Sequence, residues 1–327
     1  MPRVRWNYFK DRLIDAFGGV VYKIGVDAGF TCPNRDGVKA WGGCAYCSQE
    51  GSLSPHQDPN LAIKEQIEKG MGFVTRRYGA NQYIVYFQSF TNTYDKPEVL
   101  RERFESAFVD PRIVGLSIAT RPDCILPENV EVLKEFKKRC KYFSVELGLQ
   151  TRHQNTLDWV NRQETTADYI QAMKLLREAE IPVISHLIVG FPGEGQDEVL
   201  ETLQLAEQEQ SAGVKLQMLH VIKNTKLAVL YSRDPFDLYS MEEYGEKIIH
   251  LVERLDPRVE IHRITGETDK EQLVAPSWVS NKTPFFTWFD KELEKRNTWQ
   301  GKYHSSQKYV EKIPEFSPSK FIQLNQI

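Results

Sequence analysis

The chain has 327 residues, 41% hydrophobic and 27% charged, the balance of a globular protein with ample apolar residues for a large core. Its formal charge of −3, from 42 Lys+Arg against 45 Asp+Glu, excludes a strongly basic, histone-like binder but not a local basic patch. No apolar run approaches the ~18 residues of a membrane span, and the polar, basic stretch MPRVRWNYFK does not read as a signal peptide. Five cysteines are therefore expected in a reducing cytoplasm, where clustered thiols bind metal more often than they pair.

Residues 1–19 form an arm that mixes bases and aromatics: Arg3, Arg5, Trp6, Tyr8, Phe9, Lys10 and Arg12. Such a mixture suits nucleic acid, through phosphates and stacked bases, but composition favours an arm packed on the domain surface. A strand at Val20–Val26 then leads into a loop that carries Cys32, Cys44 and Cys47 in a C-x11-C-x2-C arrangement. Gly42 and Gly43 let this loop fold back, so that Cys32 can meet the close pair. Three converging thiolates make a soft-metal site, and spacing alone leaves two occupants open. One is structural zinc, with His56 or another residue as fourth ligand; the other is an iron–sulfur cluster. Cys124 and Cys140 lack such spacing and read as packed thiols.

Strands and helices alternate from there. Helices are expected at Asn60–Tyr78, Lys96–Phe108, Pro127–Lys138, Thr165–Glu180 and Gln196–Ala212. Between them lie strands at Tyr83–Phe87, Ile113–Ala119, Tyr142–Leu147, Pro182–Val189 and Val214–Val221. The strands are short, β-branched or aromatic, and apolar on both faces, as a buried parallel sheet requires. Neither a GxGxxG fingerprint nor a Walker loop is present, which favours a partial (β/α)6 TIM-like barrel over a doubly wound nucleotide fold.

Polar residues cluster just after these strands: the cysteines, Gln88-Ser89-Phe90-Thr91-Asn92, Thr120-Arg121-Pro122-Asp123, Gln150-Thr151, and Gly190-Phe191-Pro192-Gly193-Glu194. In a β/α barrel all of them share the C-terminal rim, where such folds place their sites. Glu146, inside an apolar strand, needs a partner or a ligand to be buried there. Residues 20–230 are thus read as the barrel and 231–327 as a C-terminal extension, with a helix at Tyr239–Leu255 and a short strand at Glu260–Ile264. The tail is aromatic and basic. Its Lys282, Lys291, Lys295, Arg296, Lys302 and Lys308, with Trp288 and Trp299, and the arm with Trp6 and Tyr8, are the candidate surface should the partner be a polyanion, although aromatics at such density more often pack than bind.

The loop CPNRDGVKAWGGCAYC resembles the cluster-binding loop of radical S-adenosylmethionine (SAM) enzymes, in the subgroup related to the catalytic elongator subunit. The superfamily usually spaces its cysteines C-x3-C-x2-C, and the longer first gap is a mark of that subgroup. ATRPD at 119–123, ELGLQ at 146–150 and HLIVGFPGE at 186–194 extend the resemblance over roughly residues 20–225. It implies a [4Fe-4S] cluster on Cys32, Cys44 and Cys47, with the fourth iron chelated by SAM. One electron, from a donor such as flavodoxin or ferredoxin, then cleaves SAM to a 5′-deoxyadenosyl radical.

It further implies cofactor contacts at Tyr46, Thr120, Glu146, Gln150, Arg162 and His186. Gln88 and Ser89, with Asn92, stand where many members carry a Gly-Gly-Glu run for the cofactor's amino group, and the chain departs from that run. The tail motifs Leu273-Val274-Ala275-Pro276-Ser277-Trp278 and Gln300-Gly301-Lys302 point to short bacterial elongator-like proteins without an acetyltransferase domain. That group implies tRNA as partner and trimming of a wobble-uridine side chain from carboxymethylaminomethyl to aminomethyl. Two other readings stand beside it: radical chemistry on a small molecule or a protein, and a zinc-stapled RNA-binding module without catalysis.

Overall fold

The computed structural model describes residues 5–49, 51, 58–266, 268–304, 312–316 and 319–323. His56, Arg3 and Lys308 lie outside that set. Helix α1 (Phe9–Phe17) leads into β1 (Val21–Val26), and the cysteine loop separates β1 from α2 (Ile63–Tyr78). There follow β2 (Gln82–Phe87), α3 (Pro97–Glu105), β3 (Ile113–Thr120), α4 (Pro127–Lys137) and β4 (Tyr142–Gln150). Two helices, α5 (Gln154–Trp159) and α6 (Thr166–Glu178), precede β5 (Val183–Val189), and α7 (Gln196–Gln208) precedes β6 (Gly213–Met218). Beyond lie β7 (Val221–Ile222), α8 (Lys226–Arg233), α9 (Met241–Arg254), β8 (Glu260–Arg263), β9 (Leu273–Ala275) and α10 (Thr283–Lys295).

Seven strands pair in parallel in the order β1-β2-β3-β4-β5-β6-β8. The expected six strands are all there, and the C-terminal third adds a seventh at the edge. Helix starts follow local chemistry: Pro97 and Pro127 sit at first positions, where a missing N–H costs nothing. Thr165 and Asp168 close a capping box at α6. The sheet is curled. Strands stand ~4.8 Å apart, so a flat sheet would hold β1 and β6 more than ~20 Å from each other. Yet Lys23 on β1 and Lys215 on β6 both ion-pair with Glu146 on β4. The inner face is therefore a lumen, as a partial TIM-like barrel requires. Among the described residues no helix is long and apolar enough to cross a membrane.

Helix α1 and Phe321 close the opposite end from the cysteines, whereas β9 of the tail pairs with β7 on the cysteine side. Phe9 and Leu13 of α1 pack with Val21, Val114, Tyr142 and Ile184, residues at or near the starts of strands, and with Phe321 of the tail. Phe321 also accepts a backbone bond from Phe143, and Asn7 accepts one from Ile261. Helix α10 buries Phe285, Phe289 and Leu293 against α9, and Trp6 meets Phe289 edge-on at 6.0 Å.

This corrects the candidate polyanion surface. Trp6 and Trp299 are only 1% and 3% exposed, so neither is available to a base. Arg296 is paired with Glu246 and Glu292, and Lys295 with Glu292. The arm is locked to the tail through Asn7 N–H to Gln300 at 2.8 Å and Arg5 to the Thr298 carbonyl at 3.1 Å. Bases and aromatics that read locally as a binding strip are the seam between two ends of the chain.

Candidate functional site

The cysteine loop is pinned from within and from two sides. Gly43 donates its N–H to Asn34 O at 2.7 Å, with Gly42 and Gly43 both at φ 80°, and the Cys47 N–H reaches Cys44 O at 3.0 Å. Helix α5's end holds one side: Ala45 N–H bonds Val160 O at 2.8 Å, and the Asn34 side chain bonds Asn161 O at 2.6 Å. The start of α8 holds the other, through Leu227 N–H to Ala45 O at 2.8 Å and Lys226 to the Trp41 carbonyl at 3.0 Å. The glycine pair thus makes the fold-back that the spacing predicts.

Around Cys44 the chain builds a thiolate environment. Asn34 Nδ2 lies 3.4 Å and an Arg162 nitrogen 3.6 Å from its sulfur. A hydrogen bond from Cys47 holds the Cys44 thiol well below its ordinary range, against burial, with Arg162 and Arg121 adding to the effect. Cys32 is buried and Cys47 half-buried. Burial pushes the thiols of Cys124 and Cys140 upward, the latter to about 12, as inert packed cysteines behave. Among the described residues, no three side chains of His, Cys, Asp or Glu are grouped as ligands of one metal ion. A cluster asks something else, because each thiolate then takes a different iron. A low-lying buried thiol, a second thiol beside it and N–H donors aimed at sulfur fit such a group.

Arg162 is the electrostatic hinge of the rim. Its guanidinium reaches Gly148 O at 2.9 Å, Glu164 at 2.5 Å and Cys44. Gln150 and Arg162 converge over Gly148, where any Cβ would collide with both. Arg121 forks onto Asp123 and also meets Glu164 at 3.1 Å, and Lys39 completes the net on Asp123 at 2.6 Å. Four non-glycine residues of this rim, Phe90, Gln150, Asn161 and Gln163, take positive φ of 54–65°. Strain of that kind persists where the surroundings over-determine it, as at functional sites.

The other expected residues fall in two places. Tyr46 lies on the rim with its ring 6.4 Å from Phe191 and its buried hydroxyl without a hydrogen-bond partner among the described residues. Gln88 and Ser89 end β2; the Ser89 hydroxyl is likewise buried without a partner among the described residues, whereas Asn92 spends its amide on Phe87, Ser89 and Ala119 carbonyls. Thr120 ends β3, 2.6 Å from Thr93. Glu146 and His186 lie deeper, in the lumen. Glu146 accepts from Lys23 at 2.7 Å, Ser117 at 2.8 Å, Tyr86 at 2.7 Å, His186 at 2.7 Å and Lys215. Burial opposes its charge, but Lys215, Lys23 and His186 keep its carboxyl well below the usual range. Burial and Lys215 bring His186 down to about 4, so it is neutral and donates Nε2–H to Glu146. Burial takes Lys215 to about 7, with Glu146 resisting. Sequence reasoning missed both lysines, yet VYKIGV and GVKLQM each carry one charge in an otherwise apolar strand.

Residues 32–206 match the sequence profile of the Radical SAM superfamily, more than half the chain. The chain belongs to the radical SAM superfamily. Residues 211–295 match the Radical SAM C-terminal domain. This radical SAM protein is 37% identical over 299 residues to the uncharacterized protein YtqA of Bacillus subtilis, covering 91% of the one chain and 92% of the other. It is 33% identical over 143 residues to a tRNA uridine(34) acetyltransferase of Methanocaldococcus jannaschii, 42% of this chain and 25% of that one. In fold it is similar to archaeal Methanocaldococcus infernus Elp3, with a TM-score of 0.64 at 19% identity. That likeness covers 86% of this chain and 64% of the other.

Proposed function

We propose that this radical SAM enzyme acts on the wobble uridine of tRNA, trimming a carboxymethylaminomethyl side chain to aminomethyl. Its similarity to a tRNA uridine(34) acetyltransferase supports the substrate, and the elongator-like cysteine loop supports the chemistry. The observation that carries the reading is the buried Cys44 sulfur on the barrel rim, with Asn34 Nδ2 at 3.4 Å and an Arg162 nitrogen at 3.6 Å donating to it.

Cys32, Cys44 and Cys47 would hold a [4Fe-4S] cluster, with one iron left to the amino and carboxylate groups of SAM. With one electron from a donor such as flavodoxin or ferredoxin, in the reducing cytoplasm, these residues would place the cluster and SAM for the hydrogen-abstracting 5′-deoxyadenosyl chemistry that the pair would supply when bound. The chain's own residues do the positioning. Arg162 adds to the Cys47 hydrogen bond in favouring the Cys44 thiolate and, with Gln150, would line the approach to the cofactor. Tyr46 would flank the adenine, with its ring fixed near Phe191. Gln88, Ser89 and Thr120 offer polar groups on adjacent strand ends to the rest of the cofactor. Glu146 and His186 shape the lumen's hydrogen bonds, and Lys215, titrating near neutrality, can hold or release a proton at Nζ.

Mass spectrometry of tRNA nucleosides from cells lacking the protein tests this. Carboxymethylaminomethyl uridine should accumulate, its aminomethyl successor should vanish, and the parent gene but not Cys44→Ala should restore it. An unchanged nucleoside pattern would move the substrate to a small molecule or a protein.

A further inference from the structure

Trp41 is 73% exposed and Val38 70%, the two most exposed of the large hydrophobic residues described. Both belong to the cysteine loop, and their exposure is not looseness. Asp36 and Trp41 form an antiparallel bridge, Gly37 N–H bonds Ala40 O at 3.2 Å, and the N–H groups of Lys39 and Ala40 both reach Pro33 O. Val38 N–H is taken by the Asp36 side chain at 3.1 Å, and Lys226 grips the Trp41 carbonyl. The indole lies against Gly37, at φ 92°, where any side chain would collide with it. An aromatic held so firmly, yet open to water, is a preorganised anchor.

Its neighbours are cations. Arg35 packs beside Gly43 and Lys226 beside Gly42, and neither meets a carboxylate within ion-pair distance among the described residues. Polyanion binding at the arm and tail is disfavoured by their buried tryptophans and the pairing of Arg296, and α1 with Phe321 stands at the floor of the barrel, away from the cysteines. An RNA substrate has to approach from the rim and splay a base to reach the lumen. We propose that Trp41 is a stacking platform for an unpaired base of the RNA substrate, with Arg35 and Lys226 facing its phosphates. This rests on the tRNA reading above.

The test uses the iron-reconstituted protein and an anticodon stem–loop RNA with uridine at the wobble position. Stacking on one aromatic is worth about five- to 150-fold in affinity, so Trp41→Ala should weaken binding by at least about fivefold and Trp41→Phe by far less. RNA should also quench the parent's tryptophan fluorescence, and Trp41→Phe should lose most of that quench. Iron content of each variant reports whether the loop is intact. If Trp41→Ala loses iron, the quench difference between parent and Trp41→Phe decides the matter alone. Equal RNA affinity for parent and Trp41→Ala would overturn the platform and leave the tRNA reading standing. Equal affinity with slower cluster reduction by flavodoxin, but not by dithionite, would overturn it in favour of a donor-docking role. A parent that binds no RNA would overturn the tRNA reading and the platform together.

Discussion

Replacing Arg162 by lysine keeps a positive charge but removes the fork that reaches Gly148, Glu164 and Cys44 at once. Cys47 would still bond Cys44, but the cation beside the sulfur would be displaced, so the Cys44 thiol should rise. The pH profile of alkylation in the iron-free protein checks this. Its midpoint should move up in Arg162→Lys, and an unmoved midpoint would leave the effect to Cys47 and Arg121. The same residue marks how far the sequence could be read. Cys32, Cys44 and Cys47 stand out in the sequence by their spacing, and Arg162 by the resemblance alone. Glu164 and Asn34 did not stand out, and Arg121 did so only as part of a strand-end motif, because their importance lies in whom they meet: Arg121 contacts the carbonyl of Arg162, 41 residues on, and Asn34 that of Asn161, 127 residues on.

At the scale of elements, apolar alternation located the six strands expected of the barrel to within a few residues, since each is a short run buried on both faces. It failed where a helix carries its apolar stripe among bases and aromatics. In FKDRLIDAF only Phe9 and Leu13 are buried, one turn apart, and in TPFFTWFDKELEK the buried residues are Phe285, Phe289 and Leu293. By composition both are expected to pack more readily than to bind, and these buried residues show the packing. The short strand expected at Glu260–Ile264 is β8, four residues long, but that it joins the barrel sheet as a seventh strand shows only in its pairing with β6. One close approach gives a test of the sheet's register. A Cβ on Gly115 in β3 would run into the backbone carbonyl of Tyr142 in β4, and backbone cannot swing aside as a side-chain tip can. Gly115→Ala should therefore destabilise the protein by about 1–3 kcal/mol or more despite alanine's lower unfolded-state entropy. Chemical denaturation measures it, and an unchanged midpoint would contradict the pairing.

Across the whole molecule, charge is organised inward. Lys23 and Lys215 meet Glu146 across 123 and 69 residues, so a lone acid in an apolar strand announced that a partner exists without naming it. Asp123 carries a consequence for stability. Burial opposes its ionisation, but Arg121 and Lys39 win and bring its carboxyl from 3.8 to about 2. The folded value lies below the unfolded one, so the stabilisation is complete above roughly pH 4 and is lost as pH falls through about 2. It amounts to roughly 2 kcal/mol, and Asp123→Asn should flatten that part of an acid-stability profile. A profile of the same slope in the variant would assign the acid sensitivity elsewhere. Whether the rim thiols serve radical chemistry or a zinc staple turns on what they hold. Anaerobically purified protein should carry about four irons per chain, and Cys32→Ala, Cys44→Ala and Cys47→Ala should each lose them while Cys124→Ala and Cys140→Ala keep them. Zinc in place of iron, or full iron in the Cys32→Ala protein, would contradict the account.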